Sequence, residues 1–178
     1  MEAHIKGIND RIQSILDDWS EGEFDLQAYG IAEGVAVYDQ DSDKTFPVMV
    51  LPSGECYDVY GETDKHAVTL YHRLNEITFQ EVDSIGSHKQ YQEVDSLSLL
   101  VFGKRAIISQ YQMEKIARKA IAFDNCNTIE RSDFNSLQVF ANEYVGVRFF
   151  LTPDYFLFKI NYRITSAYDD RCTNIQAL

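Results

Sequence analysis

A chain of 178 residues with 28 acidic and 16 basic side chains carries a formal net charge of −12. That balance argues against a conventional nucleic-acid grip, which needs Lys and Arg to displace the counterions condensed on phosphates. With 45% hydrophobic residues, 11 Tyr, 11 Phe and only 3 Pro, disorder of the whole chain is excluded and one β-rich domain spanning 1–178 is expected.

The first element reads as an amphipathic helix. Ile5, Ile8, Ile12, Ile15, Leu16 and Trp19 recur at three- and four-residue intervals, while Asp10, Ser14 and Asp17 face away. Its apolar stripe needs a cover, either the chain's own sheet or a neighbouring subunit. Gly22 is the expected stop.

From Ile31 to Tyr60 the period shortens to that of strands: Val35 to Tyr38, Phe46 to Leu51 and Cys56 to Tyr60, separated by Asp39 to Lys44 and Pro52-Ser53-Gly54. This predicts a β-meander. Ala67 to Asp83 and Tyr91 to Phe102 are longer β-prone segments around Ser84-Ile85-Gly86-Ser87-His88, which predicts an extended hairpin with a mobile tip. Asn75, Ile77 and Phe79 alternate with Glu76, Thr78 and Gln80, so residues 77–94 are expected to form a solvated ribbon projecting from the domain or a sheet edge awaiting a partner.

A second helix is expected from Ser109 to Ala122, with Met113, Ile116, Ala117, Ala120 and Ile121 inward and Lys115, Arg118 and Lys119 outward. Together with Lys104 and Arg105 these cations form a local basic face on an acidic body. Phe123 to Asn135 reads as a loop, and Ser136 to Tyr144 is open between helix and strand.

Val145 to Leu151, Thr152-Pro153-Asp154 and Tyr155 to Thr165 predict a closing hairpin. Phe156, Phe158, Ile160, Tyr162 and Ile164 fall on one face of it, and Lys159, Asn161, Arg163 and Thr165 on the other. Residues 166–178 are expected to be a flexible tail. The fold class read from this order is α+β: an antiparallel sheet covered by an N-terminal helix and a second helix, with a long projecting β-hairpin.

Spacings that would carry chemistry are missing. Asp39, Asp41 and Asp43 resemble the start of a calcium loop, but Lys44 stands where its sharp turn needs Gly and Val50 replaces the bidentate Glu. His4, His66, His72 and His88 occur singly, and His72 beside Arg73 reads as a half-buried sheet residue or an interface contact. Cys56, Cys126 and Cys172 are odd in number and lack a CxxC, so free thiols are expected.

No GxSxG occurs, and Gly103-Lys104 lacks the upstream Gly and the following Ser or Thr of a phosphate loop. Asp17-Asp18, Glu81-Asp83 and Asp169-Asp170 read as acidic pairs on solvated faces. No catalytic residue, cofactor or metal site is assigned, and the chain is not expected to be an enzyme. No apolar run approaches the roughly 20 residues that cross a bilayer, and the N-terminus lacks the order of a signal peptide, so no membrane association is expected.

The order of helix (Ile5 to Trp19), meander, long ribbon with its tip near Gly86, helix (Ser109 to Ala122) and closing hairpin resembles the tail-completion, tail-terminator and head–tail connector ring proteins of tailed bacteriophages. Leu70-Tyr71-His72-Arg73-Leu74 and Phe156 to Ile164 are similar to them in character. The resemblance implies a homo-oligomeric ring between portal or connector and tail proteins, assembled in the host bacterial cytoplasm and resident in the virion neck or tail. DNA would pass through its lumen without specific binding.

Subunit contacts are expected at Ile77, Phe79, Tyr91 and Val94 of the ribbon and at Lys115, Arg118 and Lys119 of the second helix. The alternative is an acidic adaptor or immunity-type inhibitor that masks a basic protein with a field of carboxylates.

Overall fold

The computed structural model describes residues 1–31, 33–39, 44–50, 53–58, 65–85, 88–122, 128–129 and 154–169. Within the strands, only the backbone course of 33–39, 44–50, 56–58, 82–85, 88–91, 128–129 and 166–169 is described. The fold is α+β.

Ile5, Ile8, Ile12 and Leu16 form the buried stripe of helix α1 (Glu2–Ser20). Trp19, expected on that stripe, is instead 43% exposed and stands edge-on to Phe24 at 6.1 Å. The helix closes with Glu21 in the left-handed region (φ 56°) while the Gly22 N–H donates to the Asp17 carbonyl at 3.1 Å. This is the hydrogen bond of a Schellman cap. The stop therefore falls one residue before the expected glycine, because residue 21 carries the left-handed turn and Gly22 supplies the donor.

Strand β1 (Leu26–Ile31) is followed by β2 (Glu33–Asp39), β3 (Lys44–Val50) and β4 (Cys56–Asp58), which form a separate three-stranded antiparallel meander. The chain then returns as β5 (Val68–Ile85) and β6 (His88–Lys104), continues through α2 (Gln110–Ala122) and the two-residue β7 (Thr128–Ile129), and ends its described course in β8 (Tyr155–Asp169). The main sheet has the order β1-β5-β6-β8-β7. It is mixed rather than wholly antiparallel, because β1 pairs parallel to β5, from Leu26 opposite Val68 to Ile31 opposite His72. The meander lies within the long connection that a parallel pair requires.

Both helices cover one face. Val68, Leu70, Leu97, Leu99, Val101, Phe156, Phe158, Ile160, Tyr162 and Ile164 meet the α1 stripe and Met113, Ile116, Ala117, Ala120 and Ile121 of α2 in one core. The second face is also buried at this end, at Thr69, Tyr71, Leu100, Phe102 and Leu157, with Tyr71 and Phe102 stacked 6.3 Å apart. Alternation along β8 is as the sequence predicts, except that Leu157 is buried on the face of Lys159, Asn161 and Arg163.

Two local signals set the ends of these elements. Ser109 Oγ accepts the Gln112 N–H at 3.2 Å while Gln112 Oε1 accepts the Ser109 backbone N–H at 3.4 Å, a capping box that starts α2. Gly103, opposite Phe156 in the ladder, leaves room for that ring to lie across the neighbouring strand.

Two readings of the C-terminal half change. Thr128–Ile129, expected in a loop, form β7 against Tyr162 and Arg163. The strand expected to end at Thr165 continues through Ser166–Asp169, paired with Gln90 to Glu93. A ladder partner distant in sequence holds these residues, and single-strand periodicity does not reveal it. The Val145 to Leu151 strand, the Ser136 to Tyr144 segment and residues 170–178 lie outside the described residues, as do Gly86 and Ser87 of the tip.

Candidate functional site

The β5–β6 hairpin runs in register from Val68 opposite Gly103 to Ile85 opposite His88, with irregularities between Leu74 and Glu76 and between Glu81 and Asp83. Because β8 follows β6 as far as Gln90 opposite Asp169, the projection is three-stranded rather than a two-stranded ribbon. On its other side β5 is different. β1 pairs with it only as far as His72, and among the described residues no strand lies along its outer edge beyond that point. The backbone from Glu76 to Glu81 is thus a regular six-residue edge bracketed by two bulges.

Register places Ile77 opposite Asp95, which faces Ile164, and Phe79 opposite Glu93, which faces Ser166. These positions continue the face that carries the helix-covered core, but beyond the cover: Ile77 is 44% exposed and Phe79 61%. Asp95, between Ile77 and Ile164 across the sheet, is buried, and its Oδ1 has no hydrogen-bond donor among the described residues. Val94, opposite Thr78 and Thr165, falls on the other face. Tyr91 pairs with Glu81 and Tyr168, and its side chain is outside the described residues. The expected ribbon contacts therefore divide, with Ile77 and Phe79 forming an exposed apolar pair set among carboxylates.

The expected basic face also divides. Arg118 Nε donates to Glu114 Oε1 at 2.9 Å, and Glu114 is buried, so this arginine neutralises a buried carboxylate within its own helix. Arg105 donates from Nε to the Tyr155 carbonyl at 2.8 Å and ties the loop before α2 to β8. Lys115 and Lys119 are exposed. They continue a stripe that starts at Tyr111, 75% exposed and four residues earlier, so Tyr111, Lys115 and Lys119 align along one side of the helix. Charge patterning located this helix face; only the structure separates the two lysines from the two arginines.

A buried polar chain passes through the core. His72, expected to be half-buried, is fully buried. Its Nδ1 lies 2.6 Å from the Tyr162 hydroxyl and its Nε2 lies 2.8 Å from Asn9 Oδ1, while Asn9 Nδ2 donates to the Tyr29 carbonyl at 3.0 Å. The Asn9 orientation assigns the proton: Oδ1 accepts, so His72 carries its hydrogen on Nε2, and Nδ1 accepts from Tyr162. Burial pushes the His72 imidazole down to about 3. It is neutral and both nitrogens are occupied, which leaves no lone pair for a general base.

Asn9 also reaches the wall of a groove of about 480 Å³ between α1 and β1, lined by residues that include Glu2, Ile5, Lys6, Gly30 and Ile31. At the other end of β1, Asp25 accepts from Ala67 N–H at 2.9 Å and lies 2.8 Å from His66 Nδ1. The His66 hydrogen bond, with that of Ala67, holds the Asp25 carboxyl below its ordinary range. This arrangement fixes the start of the parallel pair. Among the described residues no three His, Cys, Asp or Glu side chains converge as metal ligands, and no helix is long and apolar enough to cross a membrane.

No protein-family model matches this sequence, and no curated protein matches it at a significant level.

Proposed function

We propose that this chain is a structural subunit of a phage neck or tail ring, of the tail-completion or connector type, that assembles with copies of itself around a DNA channel. The observation that carries the reading is the outer edge of β5. A six-residue strand edge with two large apolar side chains in solvent is costly on a solitary protein and useful on one that is covered in an assembly. The charge of −12 supports the same reading, since an acidic lumen repels phosphates and lets a duplex slide. In this reading the chain performs no catalysis, and its partners are its own copies and the portal and tail proteins above and below.

Native mass spectrometry and electron microscopy of the full chain, alone and with candidate portal and tail proteins, test the proposal. A closed ring of many copies is expected. A chain that stays monomeric at every concentration and joins none of these partners overturns it.

A second reading draws on the carboxylates around Ile77 and Phe79. An acidic adaptor would use them to cover one basic protein. The same measurement separates the two, because an adaptor remains monomeric alone and forms a complex of fixed small size with a basic partner.

A further inference from the structure

We infer that the contact between neighbouring copies is head-to-tail: the Tyr111, Lys115 and Lys119 stripe of α2 in one copy packs on the Ile77 to Glu81 edge of β5 in the next. The inference rests on the ring reading and names the two surfaces that build it.

Position in the fold comes first. Helix α2 packs on α1, β7 and β8, at one side of the main sheet, whereas the edge of β5 along which no described strand lies is at the other side, beyond β6. The two surfaces of one copy therefore face different neighbours. A contact between unlike surfaces repeats from copy to copy, and it closes into a ring when the rotation per copy permits.

The surfaces match in length and in kind. The eight steps of helix from Tyr111 to Lys119 span about 12 Å, and the four steps of strand from Ile77 to Glu81 span about 13 Å. Each carries exposed apolar groups beside charge. Tyr111, with the exposed Ile107 just before the helix, supplies the apolar part on one side, and Ile77 and Phe79 supply it on the other. Lys115 and Lys119 are exposed cations. Glu81 is exposed on the face of the apolar pair and Glu76 is exposed on the opposite face of the same strand, while Glu93 lies opposite Phe79 and the buried Asp95 opposite Ile77.

Sedimentation velocity and native mass spectrometry of full-length charge-reversal variants test the contact. Lys115→Glu/Lys119→Glu and Glu76→Lys/Glu81→Lys replace exposed residues, so both keep the wild-type circular dichroism spectrum. Each alone is expected to weaken self-association at least tenfold. Mixed together they are expected to recover assemblies containing the two variants in equal amounts, and carbodiimide treatment of the wild type should join Lys115 or Lys119 to Glu76 or Glu81. Phe79→Ser gives an independent lesion without a charge change and should weaken assembly as well.

Rings that persist undiminished in both charge variants overturn this contact and leave the ring reading standing. A wild-type chain that is monomeric under every condition removes the ring reading, and this contact with it.

Discussion

The Tyr162 hydroxyl and His72 Nδ1 meet at 2.6 Å across 90 positions of sequence, joining β8 to β5. The bond continues through Asn9 into α1 and ends on the β1 backbone at Tyr29. Four elements thus share one polar chain inside the core, and each of its side chains is oriented by the next.

Removing the hydroxyl leaves Nδ1 buried without its donor. Tyr162→Phe is expected to cost about 1–3 kcal/mol, the penalty of an unsatisfied buried polar group. Tyr111→Phe, at a residue 75% exposed, should leave stability unchanged. Urea unfolding of both variants checks this, and equal midpoints would contradict the role given to the polar chain.

The same histidine makes stability depend on pH. His72 is pushed down to about 3 in the folded state, from 6.5 in the unfolded chain, so between these values the unfolded state binds more protons. Stability therefore falls as the pH drops below about 6.5, by up to about 1.4 kcal/mol per unit, and levels off near pH 3. The Asp25 carboxyl, lowered by His66, acts in the same direction, but only as the pH falls below its ordinary value of 3.8. Denaturation midpoints followed from pH 7 to pH 4 should slope downward in the wild type and flatten in His72→Gln. Parallel slopes would refute the assignment.

Gly103 has no room for a side chain, since an added Cβ would overlap the Phe156 ring. Gly103→Ala is expected to destabilise by about 1–3 kcal/mol through overpacking. Trimming the ring should relieve the strain, so Gly103→Ala/Phe156→Leu should lose less than the sum of its single variants. Strict additivity in a double-mutant cycle would show that the ring does not sense the strand.

The end of α1 offers a gain. Glu21 holds a left-handed conformation that glycine adopts freely, so Glu21→Gly should stabilise the chain by roughly 1 kcal/mol. Gly22→Ala meets nothing within 4 Å and should change little. Thermal unfolding of the pair distinguishes which residue carries the turn.

The α1 stripe, the β8 alternation and the α2 face were legible in the sequence because each is a local periodicity, written at the spacing of a helix or a strand. The two lysines of α2 were legible as charge, and Ile77 and Phe79 as an apolar alternation in a polar segment. Periodicity does not say which strand lies beside which. The parallel β1–β5 pair, the continuation of β8 through Asp169 and the short β7 were decided by ladder partners far away in sequence. The partners of Arg118 and Arg105 and the burial of His72 likewise emerged only in three dimensions. A hydrogen-bonding side chain looks alike in sequence whether it meets water or a buried acceptor, and tertiary packing alone makes that choice.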